Sequence, residues 1–269
     1  SMIDTITALL AGCTVMIKPS EVTPRFVAPL MRAIEEAGLR DVLTFVQGDG
    51  ATGAALIDQV DAVCFTGSVA TGRKVAAAAA GNMIPAFLEL GGKDPLIVTA
   101  SADIEKATDA ALRGSVLSTG QACQSIERIY VASDIHDAFL DRLTAKAKHV
   151  QLNWPDIGNG HIGPIIFEKQ AETLQAHIDD ASSKGARILS GGRVENHGGG
   201  KWLLPAILAD VNHDMDVMRD ETFGPILPVM AFETIEEAIG LANDTEFGLS
   251  AAVFAGSLQE AEDVGRQIE

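Results

Sequence analysis

Short runs of nearly continuous apolar residues alternate along this chain with longer stretches in which apolar positions return every three or four residues. The first rhythm predicts buried strands and the second amphipathic helices. In the first third, strands are predicted over residues 13–17, 42–46, 60–65 and 84–88, and helices over 3–11, 26–37, 53–59 and 69–80. The pattern continues beyond Gly91-Gly92, a double glycine that reads as a joint. There the strand-like stretches are 96–99, 128–131, 187–189, 206–209, 226–232 and 251–254, and the helical ones 102–117, 135–150, 167–183, 235–242 and 258–267. Gly191-Gly192 and Gly198-Gly199-Gly200 are read as loops. Strands without internal alternation, separated by helices, predict an α/β fold whose parallel sheet is covered on both faces. Ligands in such sheets bind beyond the carboxyl ends of the strands.

Composition narrows the function classes. A net charge of −17 over 269 residues disfavours a nucleic-acid partner. No apolar run reaches the ~18 residues of a membrane span. Cys13, Cys64 and Cys123 are too few, and too far from CxxC spacing, for a disulfide framework or a zinc site; a reducing cytoplasm is the expected setting. The six histidines have no paired-ligand spacing, so no metal is expected. Leu10-Ala11-Gly12-Cys13 resembles a lipoprotein cleavage box, but Asp4 and the lack of a preceding basic residue argue against a signal peptide.

Five stretches carry candidate chemistry. Cys123 lies in Ser118-Thr119-Gly120-Gln121-Ala122-Cys123, a polar turn after a helix, whereas Cys13 and Cys64 lie in apolar strands and are expected to be buried hydrophobes. Turn amides can favour a thiolate and hold an oxyanion. Glu89, between an apolar strand and Gly91-Gly92, is either a solvated carboxylate or, if partly buried, a general base. In Asp220-Glu221-Thr222-Phe223-Gly224-Pro225 a carboxylate suits a ribose diol and the ring of Phe223 a flat partner, although a plain turn fits too. Lys18-Pro19-Ser20-Glu21 offers an ammonium and a carboxylate to an adenosine ribose, or simply a helix start. Thr66-Gly67-Ser68 opens a helix and suits a pyrophosphate. There is no GxGxxG.

Together, and in this order, Lys-Pro-Ser-Glu, Phe-Thr-Gly-Ser, Leu-Glu-Leu-Gly-Gly-Lys, Gly-Gln-Ala-Cys and Glu-Thr-Phe-Gly-Pro resemble the NAD(P)-dependent aldehyde dehydrogenase superfamily. Asn243-Asp-Thr-Glu-Phe-Gly-Leu249 is similar to the family as well. The resemblance implies a Rossmann-like, parallel-sheet, partial coenzyme-binding domain over residues 1–91 and an α/β catalytic domain over 92–269 with its C-terminal end incomplete. It implies that Cys123 attacks an aldehyde and that Glu89 activates the water that releases the acid. It assigns Glu221 to the nicotinamide ribose and Phe223 to the ring. It gives Lys18 and Glu21 to the adenosine ribose, and Gly67, Ser68 and Leu90 to the rest of the coenzyme. Glu21 favours NAD over NADP, and Glu89 favours hydrolysis over transfer to coenzyme A. The partners implied are a small aldehyde and, in a full-length member, copies of the same chain in a homodimer or homotetramer.

By the same resemblance the chain matches the second part of a full-length member. The family's Trp-Asn motif, whose asparagine helps hold the oxyanion, has no counterpart here, since Trp154 and Trp202 lie far downstream. Two alternatives follow: a catalytically impaired fragment acting as a binding or assembly module, and a thiol esterase using Cys123 and Glu89 without coenzyme.

Overall fold

The computed structural model describes residues 3–269. The chain forms two compact units, one running to Leu90 and the other from Gly91 to Glu269.

The first unit alternates helix and strand: α1 (Ile3–Leu10), β1 (Val15–Ile17), α2 (Val27–Glu36), β2 (Leu43–Phe45), α3 (Gly50–Ile57), β3 (Val63–Thr66), α4 (Val69–Gly81) and β4 (Ala86–Glu89). Its strands form two parallel pairs, β1 with β2 and β3 with β4. Asp49 caps α3 by accepting from the amides of Ala51 and Thr52. A small core of Ile17, Ile34 and Leu43 joins β1, α2 and β2. Two sequence expectations fail here. Cys13 precedes β1 rather than lying in it, and both Cys13 and Cys64 are exposed. Cys64 is opposite Phe87 in register, and both point to the exposed face of the β3–β4 pair.

The second unit comprises β5 (Asp94–Val98), α5 (Ile104–Val116), β6 (Ile126–Ala132), α6 (Ser133–Ala147), α7 (Glu168–Ser183), β7 (Arg187–Ser190), β8 (Glu195–His197), β9 (Gly200–Trp202), β10 (Ala206–Ala209), α8 (Asp216–Arg219), β11 (Ile226–Phe232), α9 (Ile235–Asn243), β12 (Ala252–Phe254) and α10 (Leu258–Gly265). Its six-stranded sheet has the order β12-β5-β6-β11-β10-β7. All neighbours are parallel except β7, which runs antiparallel to β10. Alternation along the strands assigns each side chain to a face. Ile97, Tyr130 and Phe232 pack against Leu174 and Ile178 of α7, Ala238 of α9 and Val264 of α10. Leu96, Val98, Ile129 and Val131 pack against Ala107 and Ala111 of α5 and Phe139 and Leu143 of α6. Burial on both faces explains why these strands read as continuous apolar runs. The fold is therefore α/β, with parallel Rossmann-like pairing followed by a mixed sheet. Among the described residues no helix is long and apolar enough to cross a membrane.

Candidate active site

In the first unit the candidate residues collect at the carboxyl ends of the strands, where parallel sheets present their ligands. Thr66 and Glu89 are register partners at the ends of β3 and β4, and the amide of Gly67 donates to the carbonyl of Glu89 at 3.0 Å. Ser68 caps α4: its hydroxyl accepts from the amide of Thr71 at 3.3 Å and donates to the Thr71 hydroxyl at 3.1 Å. Leu90 lies against α4 so closely that a Cβ on Gly72 would come 2.5 Å from its Cδ2. After β1, the Lys18 ammonium donates to Glu21 Oε2 at 2.8 Å and to the carbonyl of Gly48 at 3.2 Å. The hydrogen bond and charge of Lys18 hold the Glu21 carboxyl below the usual glutamate range. Glu89 itself is exposed, so the partial burial expected of a base is not present.

The second unit departs from the expected geometry. Gly92 precedes β5, Cys123 precedes β6, Glu221 precedes β11 and Leu249-Ser250 precede β12. Its candidate residues therefore gather at the amino ends of parallel strands, because each is carried on the segment that enters a strand.

Cys123 is half-buried in a turn. Its thiol donates to Gln124 Oε1 at 3.3 Å. The approach to it is strained: Ser118, Thr119 and Gly120 have φ of 54°, 62° and 67° in succession. Each non-glycine residue so held costs roughly 1–3 kcal/mol. Long-range contacts hold the turn. Thr119 Oγ1 donates to the carbonyl of Gly163 and accepts from its amide, at 3.3 and 3.1 Å. Gln121 donates to the carbonyl of Pro164 and accepts from the amide of Ile166. Gly120 is required twice over, since a Cβ there would collide with the backbone of Gly224 and lie 2.7 Å from the carbonyl of Ser115.

Glu221 lies across the double glycine. The amide of Gly92 donates to its Oε1 at 3.3 Å, and a Cβ on Gly91 would lie 2.5 Å from that oxygen. On its other side, a Cβ on Gly92 would lie 2.6 Å from the carbonyl oxygen of Cys123. Gly91-Gly92 is thus sandwiched between the Cys123 backbone and the Glu221 carboxylate. Desolvation, with the charge of Glu127, raises the Glu221 carboxyl above its ordinary value. Phe223 has a φ of 51°.

The sequence reading missed the polar groups beneath this site. Lys93 and Glu127, with side chains 0% and 3% exposed, pair at 2.8 Å. Burial lowers the Lys93 ammonium, and Glu127 opposes that shift. Asp94 accepts from the amide of Ser250 at 3.2 Å and from its hydroxyl, tying the segment before β12 to the start of β5. Burial raises its carboxyl. Arg128 donates to the carbonyls of Lys93, Leu241 and Ala242 and to the Tyr130 hydroxyl, at 2.8–3.2 Å. Burial pushes the Tyr130 phenol up to about 12, so at neutral pH it stays protonated and donates to Leu241. The one available signal was charge: Lys93, Asp94, Glu127 and Arg128 interrupt apolar surroundings at strand entries.

Comparison with known proteins establishes the family. Residues 1–269 match the model of the aldehyde dehydrogenase family. A betaine aldehyde dehydrogenase of Cereibacter sphaeroides is 42% identical over 265 residues, covering 97% of this chain and 55% of its own. The structure of PutA from Anabaena variabilis superposes with a TM-score of 0.98 at 61% identity, covering 100% of this chain and 57% of that one. That of an NADP-dependent enzyme from Escherichia coli has a TM-score of 0.92 at 37% identity, covering 97% and 55%. The chain spans about half the length of the curated relatives it matches. Over its whole length, this chain belongs to the aldehyde dehydrogenase family.

Proposed function

We propose that the protein oxidises an aldehyde to a carboxylic acid with NAD, using Cys123 as nucleophile and Glu89 as the base for hydrolysis. The observation that carries this reading is the sandwich of Gly91-Gly92 between the Cys123 backbone and the Glu221 carboxylate. It brings the backbone of Cys123 and the carboxylate of Glu221, far apart in sequence, to the same double glycine, which supports a shared role for the two residues.

The residues present suit a dinucleotide. Glu221 is a desolvated acceptor for a ribose diol, and Phe223 offers a ring two residues on. Ser68 opens the 13-residue helix α4, whose N-terminus favours a pyrophosphate. The Lys18–Glu21 pair offers both a donor and an acceptor to the second ribose. When bound, NAD supplies the hydride acceptor. Cys123 attacks the carbonyl carbon as a thiolate, forming the C–S bond and an oxyanion. Loss of hydride from that carbon leaves a thioester on Cys123. Glu89 then takes a proton from water, hydroxide adds to the thioester, the C–S bond breaks to release the acid and restore the thiolate, and Glu89 passes its proton to solvent. Exposed in its unit, Glu89 is accessible to water. The carboxylate of Glu21 disfavours a 2′-phosphate and underlies the choice of NAD.

The test is NADH formation from a panel of aldehydes. Cys123→Ala is expected to abolish it. Glu89→Gln is expected to keep a single burst of one NADH per site and lose steady turnover. Full steady turnover in either variant overturns the corresponding role. Equal kcat/KM for NAD and NADP would overturn the role given to Glu21.

A further inference from the structure

We propose that Glu127, neutralised by Lys93, is the positioning residue that holds Glu221 and Phe223 in place for the nicotinamide half of the coenzyme. The inference rests on the function proposed above and adds a residue to it.

The geometry is specific. Glu127 is the second residue of β6, four positions after Cys123. Its Oε1 accepts from the amide of Phe223 and its Oε2 from the amide of Thr222, both at 2.7 Å. Two successive amides converging on one carboxylate form a small anion-binding nest, filled here by the protein's own side chain. The nest holds Phe223 at a φ of 51°, a conformation an aromatic residue rarely adopts. Lys93 donates to the same Oε2 and to Thr222 Oγ1, each at 2.8 Å. Gln170 donates to the carbonyl of Thr222 at 2.6 Å. The peptide after Glu221 is therefore gripped at both amides, its carbonyl and its hydroxyl.

Core stability alone does not account for this pair. A buried ion pair is a weak stabiliser compared with well-packed apolar residues, because both ions lose their hydration. Here the carboxylate spends its acceptors on the backbone of one segment, the one that carries Glu221. Because Glu127 enters β6 directly after the Cys123 turn, a single side chain sets where Glu221 lies relative to the nucleophile. Without it, Phe223 can relax out of the left-handed region and Glu221 can swing from Gly92.

Two variants test this. Glu127→Asp keeps the charge beside Lys93 but is one methylene too short for both amides. Glu127→Gln combined with Lys93→Met leaves no lone buried charge. The measurements are KM for NAD and kcat with an aldehyde, Kd for ADP as a probe of the adenosine half, and amide hydrogen exchange at Thr222 and Phe223. The expected result is faster exchange at both amides, unchanged ADP affinity, and a rise of about tenfold or more in KM for NAD with a fall in kcat. Unchanged exchange overturns the inference without reference to the coenzyme. So do wild-type KM and kcat, an equal loss of ADP and NAD affinity, or failure of both variants to fold, since the pair would then serve the core. A wild-type protein that binds neither ADP nor NAD overturns the oxidoreductase reading instead, and the inference about the coenzyme with it.

Discussion

Replacing Thr119 by valine should loosen the turn before Cys123 at nearly constant shape. Thr119 is 4% exposed and sits at φ 62°, ψ 29°. Its hydroxyl makes two hydrogen bonds, donating to the carbonyl of Gly163 and accepting from its amide. Valine keeps the β-branch, the volume and the backbone strain, but removes both bonds. At about 1 kcal/mol net per bond, the expected cost is ~2 kcal/mol, or roughly a thirtyfold shift toward the unfolded state. Thr119→Gly loses the same bonds but also relieves about 1–3 kcal/mol of backbone strain, so it should destabilise less than valine does. Urea unfolding of the unit from Gly91 to Glu269 measures both. Mass-spectrometric mapping of iodoacetamide labelling at Cys123 reports the turn directly, and faster labelling is expected in Thr119→Val. A valine variant within about 0.5 kcal/mol of wild type, or a glycine variant less stable than the valine one, would refute the account of a strained turn locked by its hydroxyl.

The raised carboxyl of Glu221 sets a pH dependence with a definite sign. The folded state keeps its proton above the ordinary value of 4.5, so this group's contribution to stability falls as pH rises from 4.5 through the raised folded value. Glu221→Gln should therefore gain on wild type at neutral pH, with the gap closing in acid, while weakening coenzyme binding; parallel stability–pH curves would count against it. Arg128→Lys should cost about 3 kcal/mol, because one ammonium cannot span the Lys93, Leu241 and Ala242 carbonyls and the Tyr130 hydroxyl. A calorimetric Tm lowered by less than about 2 °C would contradict that.

The sequence carried the elements better than it carried their partners. The strand expected over 226–232 is β11 without change, and the helices expected over 69–80 and 167–183 are α4 and α7 to within a residue. These are long segments with one consistent rhythm and clear boundaries. The hairpin of β8 and β9 is not predicted, because Glu-Asn-His and Gly-Lys-Trp lack a run of β-branched residues. Its Gly198-Gly199 turn, with φ of 58° and 81°, was nevertheless a readable signal. Cys64 departs from its expected burial because the β3–β4 pair exposes one face of an apolar strand. The candidate residues divide in the same way. Cys123 follows Gly120, whose φ is positive, and Glu89 and Glu221 lie near Gly91 and Gly224, where a Cβ would meet closely packed neighbours. The meaning of Glu127 and Lys93 lies in Thr222 and Phe223, nearly a hundred residues beyond Glu127. The amino-end location of the second unit's candidate residues was hidden for a related reason: strand order and direction come from pairing, which no local pattern encodes.

The left-handed run before Cys123 also has a consequence for the order of folding. Ser118 and Thr119 resist their conformation locally, and the groups that hold them there belong to residues 163–166, more than forty positions further along. β6 and α6 lie within that gap, so closing it brings together segments separated by both elements. Those contacts cannot form before residues 163–166 have been made. Until then none of these long-range hydrogen bonds holds the segment before Cys123. A chain still being made therefore carries Cys123 before the residues that hold its turn exist.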